Sequence, residues 1–122
     1  MTPLVLIPGM MCDAQLFGPQ IVAFSGRRTL ICAPISGRTS VEDLATDVLT
    51  NAPDRFALAG LSMGGIVAME IMRKAPARIE RIALMDTNPL AEDDQIKARR
   101  TAQMAKVRDQ KLAAVMRNEM KP

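Results

Sequence analysis

The ten residues Phe56-Ala57-Leu58-Ala59-Gly60-Leu61-Ser62-Met63-Gly64-Gly65 decide how this chain is read. An apolar run, expected as a strand over Arg55 to Ala59, enters G-x-S-x-G. The apolar stretch Ile66 to Lys74 then has helical character. A serine set on a sharp strand-to-helix turn is a nucleophile elbow, which makes Ser62 the candidate catalytic residue. Such a turn holds its serine in a strained backbone conformation, and the residues two positions away must be small. Gly60 and Gly64 meet that need, and Gly65 relaxes it further. The helix N-terminus behind the turn offers free N–H groups, and that of Met63 is placed to meet the oxygen of a tetrahedral intermediate. The glycine spacing is not that of a dinucleotide fingerprint, and no lysine follows Gly65 as a phosphate-binding loop requires.

Upstream, Thr2 to Pro8 is a short apolar run closed by Pro8-Gly9, as expected of a buried parallel strand. The loop Pro8-Gly9-Met10-Met11-Cys12-Asp13 follows it, and the N–H of Met10 is the candidate second oxyanion donor. Met10, Met11 and Met63 flank this region, either lining an acyl pocket or filling core. Asp13 is expected to cap a helix over Ala14 to Phe24 with Leu16, Phe17, Ile21 and Phe24 inward. Thr29 to Ala33 reads as a second strand. Ser40 and Asp43 form a capping box before a helix to about Asn51 with Val41, Leu44, Val48 and Leu49 as its stripe. The helix after the elbow, apolar almost all round, is expected to be buried on most sides and to stop before Pro76. Ile79 to Met85 is the fourth strand, ending at Asp86, which is read as capping the Thr87-Asn88-Pro89 turn. Strand and helix alternate throughout, so the fold class is α/β, a parallel sheet buried on both faces with helices on each side.

The 122 residues are 48% hydrophobic and 24% charged, an ordinary globular composition for one small domain. No stretch approaches the roughly 18 apolar residues that span a membrane, and the N-terminus lacks the basic flank of a signal peptide. Cys12 and Cys32 fit no metal or redox spacing and are expected as free thiols of a cytoplasmic protein. Cys12 has no histidine partner and is not read as a nucleophile. The composition contains no histidine at all, so the general base of a serine hydrolase is absent from these residues.

The net charge of +3 resides in residues 91–122, which hold eight Lys/Arg against five Asp/Glu. These charges are mixed in sign and lack interleaved aromatics, the pattern of a solvated helix face and not of a nucleic-acid surface. Glu92 to Met120 reads as two helices with a break near Asp109-Gln110, its apolar positions being Ile96, Met104, Val107, Leu112, Val115, Met116 and Met120. The acidic run Glu92-Asp93-Asp94 suits a helix N-terminus and needs no metal. The hairpin ends with an apolar stripe still to be covered, which raises the expectation of a fragment.

L-V-L-I-P-G-M-M-C-D at 4–13 and A-L-A-G-L-S-M-G-G at 57–65 together resemble the α/β-hydrolase superfamily, in particular its compact bacterial esterase, carrier-protein methyl esterase and haloperoxidase members. The resemblance covers about residues 3–90, the N-terminal part of that core domain; 91–122 look like the start of a helical cap, left incomplete. It implies Ser62 as nucleophile, Met10 and Met63 as oxyanion N–H donors, and a catalytic acid and histidine further along the family's chain than residue 122. Pro8-Gly9 stands where the family usually has His-Gly. A minority of members place their acid where Asp86 stands. The implied activity is hydrolysis of a carboxylic ester or thioester through an acyl-enzyme, with this chain inactive alone. The substrate would be a small molecule, with no cofactor, metal, nucleic acid or membrane required. The alternative is a non-catalytic binding or dimerisation module, in which a second copy, and not a missing C-terminal half, covers the exposed sheet edge and stripe.

Overall fold

In the computed structural model, residues 1–109 and 111–119 are described; Gln110 and Met120 fall outside them. They form two compact units, Met1–Pro89 and Leu90–Pro122.

The first unit is built on four parallel strands: β1 (Leu4–Ile7), β2 (Leu30–Cys32), β3 (Phe56–Leu61) and β4 (Ile79–Met85), in the order β2-β1-β3-β4. Leu6 pairs in register with Cys32 and with Ala59, and Ile7 with Gly60. β3 and β4 run side by side to the pair Leu61–Met85, after an irregularity at Phe56/Ala57. Successive strand residues point to opposite faces, so each apolar strand needs cover on both sides. On one face Val5, Ile7, Phe56 and Leu58 pack against α2 (Val41–Asn51) and α3 (Met63–Lys74) through Leu44, Ala45, Val48, Val67, Ala68 and Ile71. On the other, Leu6 and Ala59 meet Phe17, with Ile21 of α1 (Gly18–Phe24) beside them. Complete burial of such side chains is worth about 1.5–3 kcal/mol each. The architecture is thus the parallel sheet with helices on both faces.

Local chemistry sets the element ends. The Asp13 carboxylate accepts from the Gln15 N–H, and the Ser40 hydroxyl accepts from the Asp43 N–H. Arg78 ties the end of α2 to the start of β3. Its guanidinium donates to the carbonyls of Leu49, Ala52, Pro53 and Asp54 at 2.8–3.1 Å and stands 5.7 Å over the Phe56 ring. Those carbonyls include orphans of the helix C-terminus, where a cation is also favoured by the helix dipole.

Several expectations need correcting. The segment after Asp13 starts as a 3-10 turn over Ala14–Phe17 before α1, which rotates Leu16 and Phe24 to 38% exposure each. α3 is one-sided, with Ile66 and Met72 outward. β4 is an edge strand, and all its residues but Ile79 are exposed, so the sheet is not buried on both faces along its whole width.

The second unit holds α4 (Asp94–Arg108) and α5 (Leu112–Asn118). Asp93 caps α4 by accepting from the Ile96 N–H, which gives one acid of the 92–94 run a structural task. Val115 is buried, whereas Met104, Val107 and Leu112 are exposed, so the stripe read from the sequence is only partly inside. Lys106 pairs with Glu119.

Candidate active site

Ser62 stands alone between β3 and α3, at φ 53° and ψ −115°. A positive φ is rare for a residue with a Cβ; a conformation of this kind costs about 1–3 kcal/mol and persists only where its surroundings enforce it. Here they do. The strand runs to Leu61, two residues further than its apolar run suggested, and the helix begins at Met63, three residues earlier. The Ser62 N–H donates to the Met85 carbonyl at 2.9 Å, while its own carbonyl accepts from the Gly65 N–H at 2.9 Å and the Ile66 N–H at 3.3 Å. The serine itself is exposed.

The glycines permit this packing. A Cβ on Gly60 would overlap the Gly64 carbonyl, and one on Gly64 would overlap the Ile7 carbonyl at the end of β1. Strand, turn, helix and the neighbouring strand therefore interlock backbone to backbone, which no larger residue allows.

The β1 exit loop lies against the same turn. The Cys12 N–H donates to the Gly9 carbonyl at 3.1 Å, closing a tight turn with Met11 at φ 62°. The position a Cβ would take on Gly9 lies 3.6 Å from Ser62 Cβ, ordinary contact distance. The structure thus brings the Gly9-Met10 segment beside the serine, and Met63 follows it directly as the first residue of α3. Met10 and Met11 are 43% and 61% exposed, whereas the Met63 side chain packs against the core.

Among the described residues, three non-glycine residues have positive φ: Met11, Ser62 and Asp86. Each lies past the C-terminal end of a strand, so backbone strain gathers at one edge of the parallel sheet, the edge where open α/β folds place their ligands. A cleft of about 290 Å³, lined by Pro8, Cys12, Asp13, Cys32, Pro34 and Ile35, lies beside the β1 exit. A larger one of about 410 Å³, between β2 and the end of α2, contains none of the elbow residues. Both cysteines are free. Among the described residues no group of three or more His, Cys, Asp or Glu could hold a metal. Carboxyls displaced below their ordinary range are Glu70, through its hydrogen bonds from Arg73, and Glu119, through Lys106; both belong to helix ion pairs and not to the elbow.

Sequence reasoning gave Thr87 no part beyond a turn. In the structure its hydroxyl donates to the Ser62 carbonyl at 2.8 Å. At that turn the polar contact comes from Thr87, and the Asp86 carboxylate makes no capping hydrogen bond among the described residues. Nothing in the local sequence signals this contact; the register of β3 against β4 brings the two residues together.

No family model matches the chain. Its fold is that of solved esterases: a thermophilic esterase from Thermogutta terrifontis superposes with a TM-score of 0.81 over 98% of this chain and 49% of that one, at 21% identity. Among curated proteins, the pimeloyl-[acyl-carrier protein] methyl ester esterase of Pectobacterium atrosepticum is 35% identical over 103 residues, 76% of this chain. The chain belongs to the α/β-hydrolase superfamily. The protein of the same name from Legionella pneumophila is 32% identical over 92 residues. The matches span 40% and 38% of these two superfamily members, so the chain corresponds to about two fifths of their length.

Proposed function

We propose that the protein is a serine ester hydrolase in which Ser62 attacks the substrate carbonyl. The N–H groups of Met10 and Met63 stabilise the oxyanion that results. The observation that carries this reading is the exposed Ser62 at φ 53°, with the Gly9 loop beside it and a helix N-terminus behind it. An oxyanion hole of two main-chain donors acts on charge that develops only in the transition state. The general base is a histidine from outside these 122 residues, since none is present here; without it a serine hydroxyl is a poor nucleophile. The matched relatives are methyl ester esterases acting on a carrier-protein-bound acyl group, which supports a carboxylic or thioester of an acyl chain as the substrate class.

The test is hydrolysis of a methyl ester of an acyl chain by the protein expressed at its natural length. Ser62→Ala should lower kcat on the order of 10⁴-fold or more, and an unchanged kcat would refute the proposal. The exposed apolar residues of β4, Ile82, Leu84 and Met85, favour a second reading, a binding or dimerisation module that retains half of a hydrolase core. A protein of natural length with no histidine and no turnover, but a stable dimer, would select it.

A further inference from the structure

Ser62 O and Met63 N–H belong to one peptide unit. That unit is planar and trans, so whatever fixes the direction of the carbonyl also fixes the direction of the N–H on its opposite side. Three donors converge on this carbonyl: the Gly65 and Ile66 amides of the first turn of α3 and the Thr87 hydroxyl at 2.8 Å. The two amides come from the helix itself, and the Ile66 bond is long at 3.3 Å. Thr87 is the donor that arrives from another element, the exit of β4. Its side chain is further wedged against the helix: a Cβ on Gly65 would lie 2.6–2.7 Å from the Thr87 Cβ, Cγ2 and Oγ1. The threonine thus fills the notch that Gly65 leaves. The strand beneath is anchored by the Ser62 N–H bond to Met85 O, two residues before Thr87.

We infer that Thr87 is a positioning residue that sets the aim of the Met63 N–H. The inference rests on the serine hydrolase reading above. Through its hydroxyl, Thr87 holds the 62–63 peptide plane against the strain stored at Ser62, so the oxyanion donor is fixed before substrate arrives. A donor fixed in advance costs no reorganisation during the reaction. The loss from misaiming it falls on the transition state, and so on kcat and not on KM. It also explains why position 65 is glycine although its φ is not positive: the space is occupied by the threonine.

The experiment compares Thr87→Val, which keeps the shape and removes the hydroxyl, with Thr87→Ser, which keeps the hydroxyl. Both are made in the natural-length protein and assayed with 4-nitrophenyl butyrate. Amide hydrogen exchange at Gly65 and Ile66 serves as a readout independent of turnover. Thr87→Val should lower kcat about 10- to 100-fold, a smaller loss than removing an oxyanion donor outright, with KM within about twofold. It should also speed exchange at Gly65 and Ile66 while leaving α2 unchanged. Thr87→Ser should restore kcat to within about threefold of the parent. Should Thr87→Val fail to fold, Thr87→Cys has the shape of Thr87→Ser with only a weak donor, and the Cys–Ser pair carries the same comparison. Parental kcat and exchange in the Val variant, or equal losses in Val and Ser, would overturn the inference. Ser62→Ala separates the two failures. If it turns over at the parental rate, the hydrolase reading fails; if it is inactive while Thr87→Val is parental, only the role of Thr87 fails.

Discussion

β3 and β4 lie side by side in one sheet, and both are read as strands from apolar sequence. β3 is buried from Phe56 to Gly60; β4 is exposed from Glu80 to Met85. The register partners Leu58 and Ile82 make the contrast direct, at 1% and 38% exposure. Strand formation and strand burial are therefore separate properties. The first follows from composition and alternation. The second follows from place in the sheet: β3 has a strand on each side and helices above and below, whereas β4 is an edge. The serine rides on the buried strand, and its positioning threonine comes from the exposed one. The elbow thus joins a buried strand to an exposed one.

The largest expected effect that tests this contrast is in the core. Leu58→Ala should cost about 2–5 kcal/mol in urea unfolding, whereas Ile82→Ala should cost less than about 1 kcal/mol. Equal costs would mean that β4 is covered in solution. Next comes Arg78→Lys, which keeps the charge but cannot serve four carbonyls and an aromatic face at once. A loss of about 1–3 kcal/mol is expected, and a neutral result would mean that water replaces the guanidinium. Smaller still is the effect of Leu84→Lys, which should leave the urea midpoint almost unchanged while reducing any self-association seen by sedimentation equilibrium, because a charge on an edge strand opposes pairing with another chain. The least effect is electrostatic. Glu70 is held below its ordinary range by Arg73, so the pair adds stability above the usual carboxylate pKa and loses it as pH falls below that value. In Glu70→Gln this part of the pH dependence should flatten, and stability at pH 7 should change little.

Much of this was legible in the sequence. Apolar runs, three of them closed by Gly or Pro and the fourth by Asp86, gave four strands, and G-x-S-x-G between a strand and a helix pointed to Ser62. Ser40 and Asp13 announced their caps. What escaped depends on three dimensions. The exposure of Leu16 and Phe24 follows from a 3-10 turn that shifts the helical phase by a fraction of a turn. The exposure of Ile66 and Met72 follows from α3 having one packed face. Arg78 and Thr87 act on partners 24–29 residues away, and only strand order and register bring them there. Gly65 looked like loop freedom and proves to be room for a side chain.

The central claim is that the strained bend presents an activated hydroxyl at residue 62. The direct measurement is intact-mass and peptide analysis of the natural-length protein after treatment with a fluorophosphonate. A single adduct on the peptide containing Ser62, lost in Ser62→Ala, is the predicted result. An unmodified Ser62, or an adduct that survives its replacement by alanine, would contradict the account.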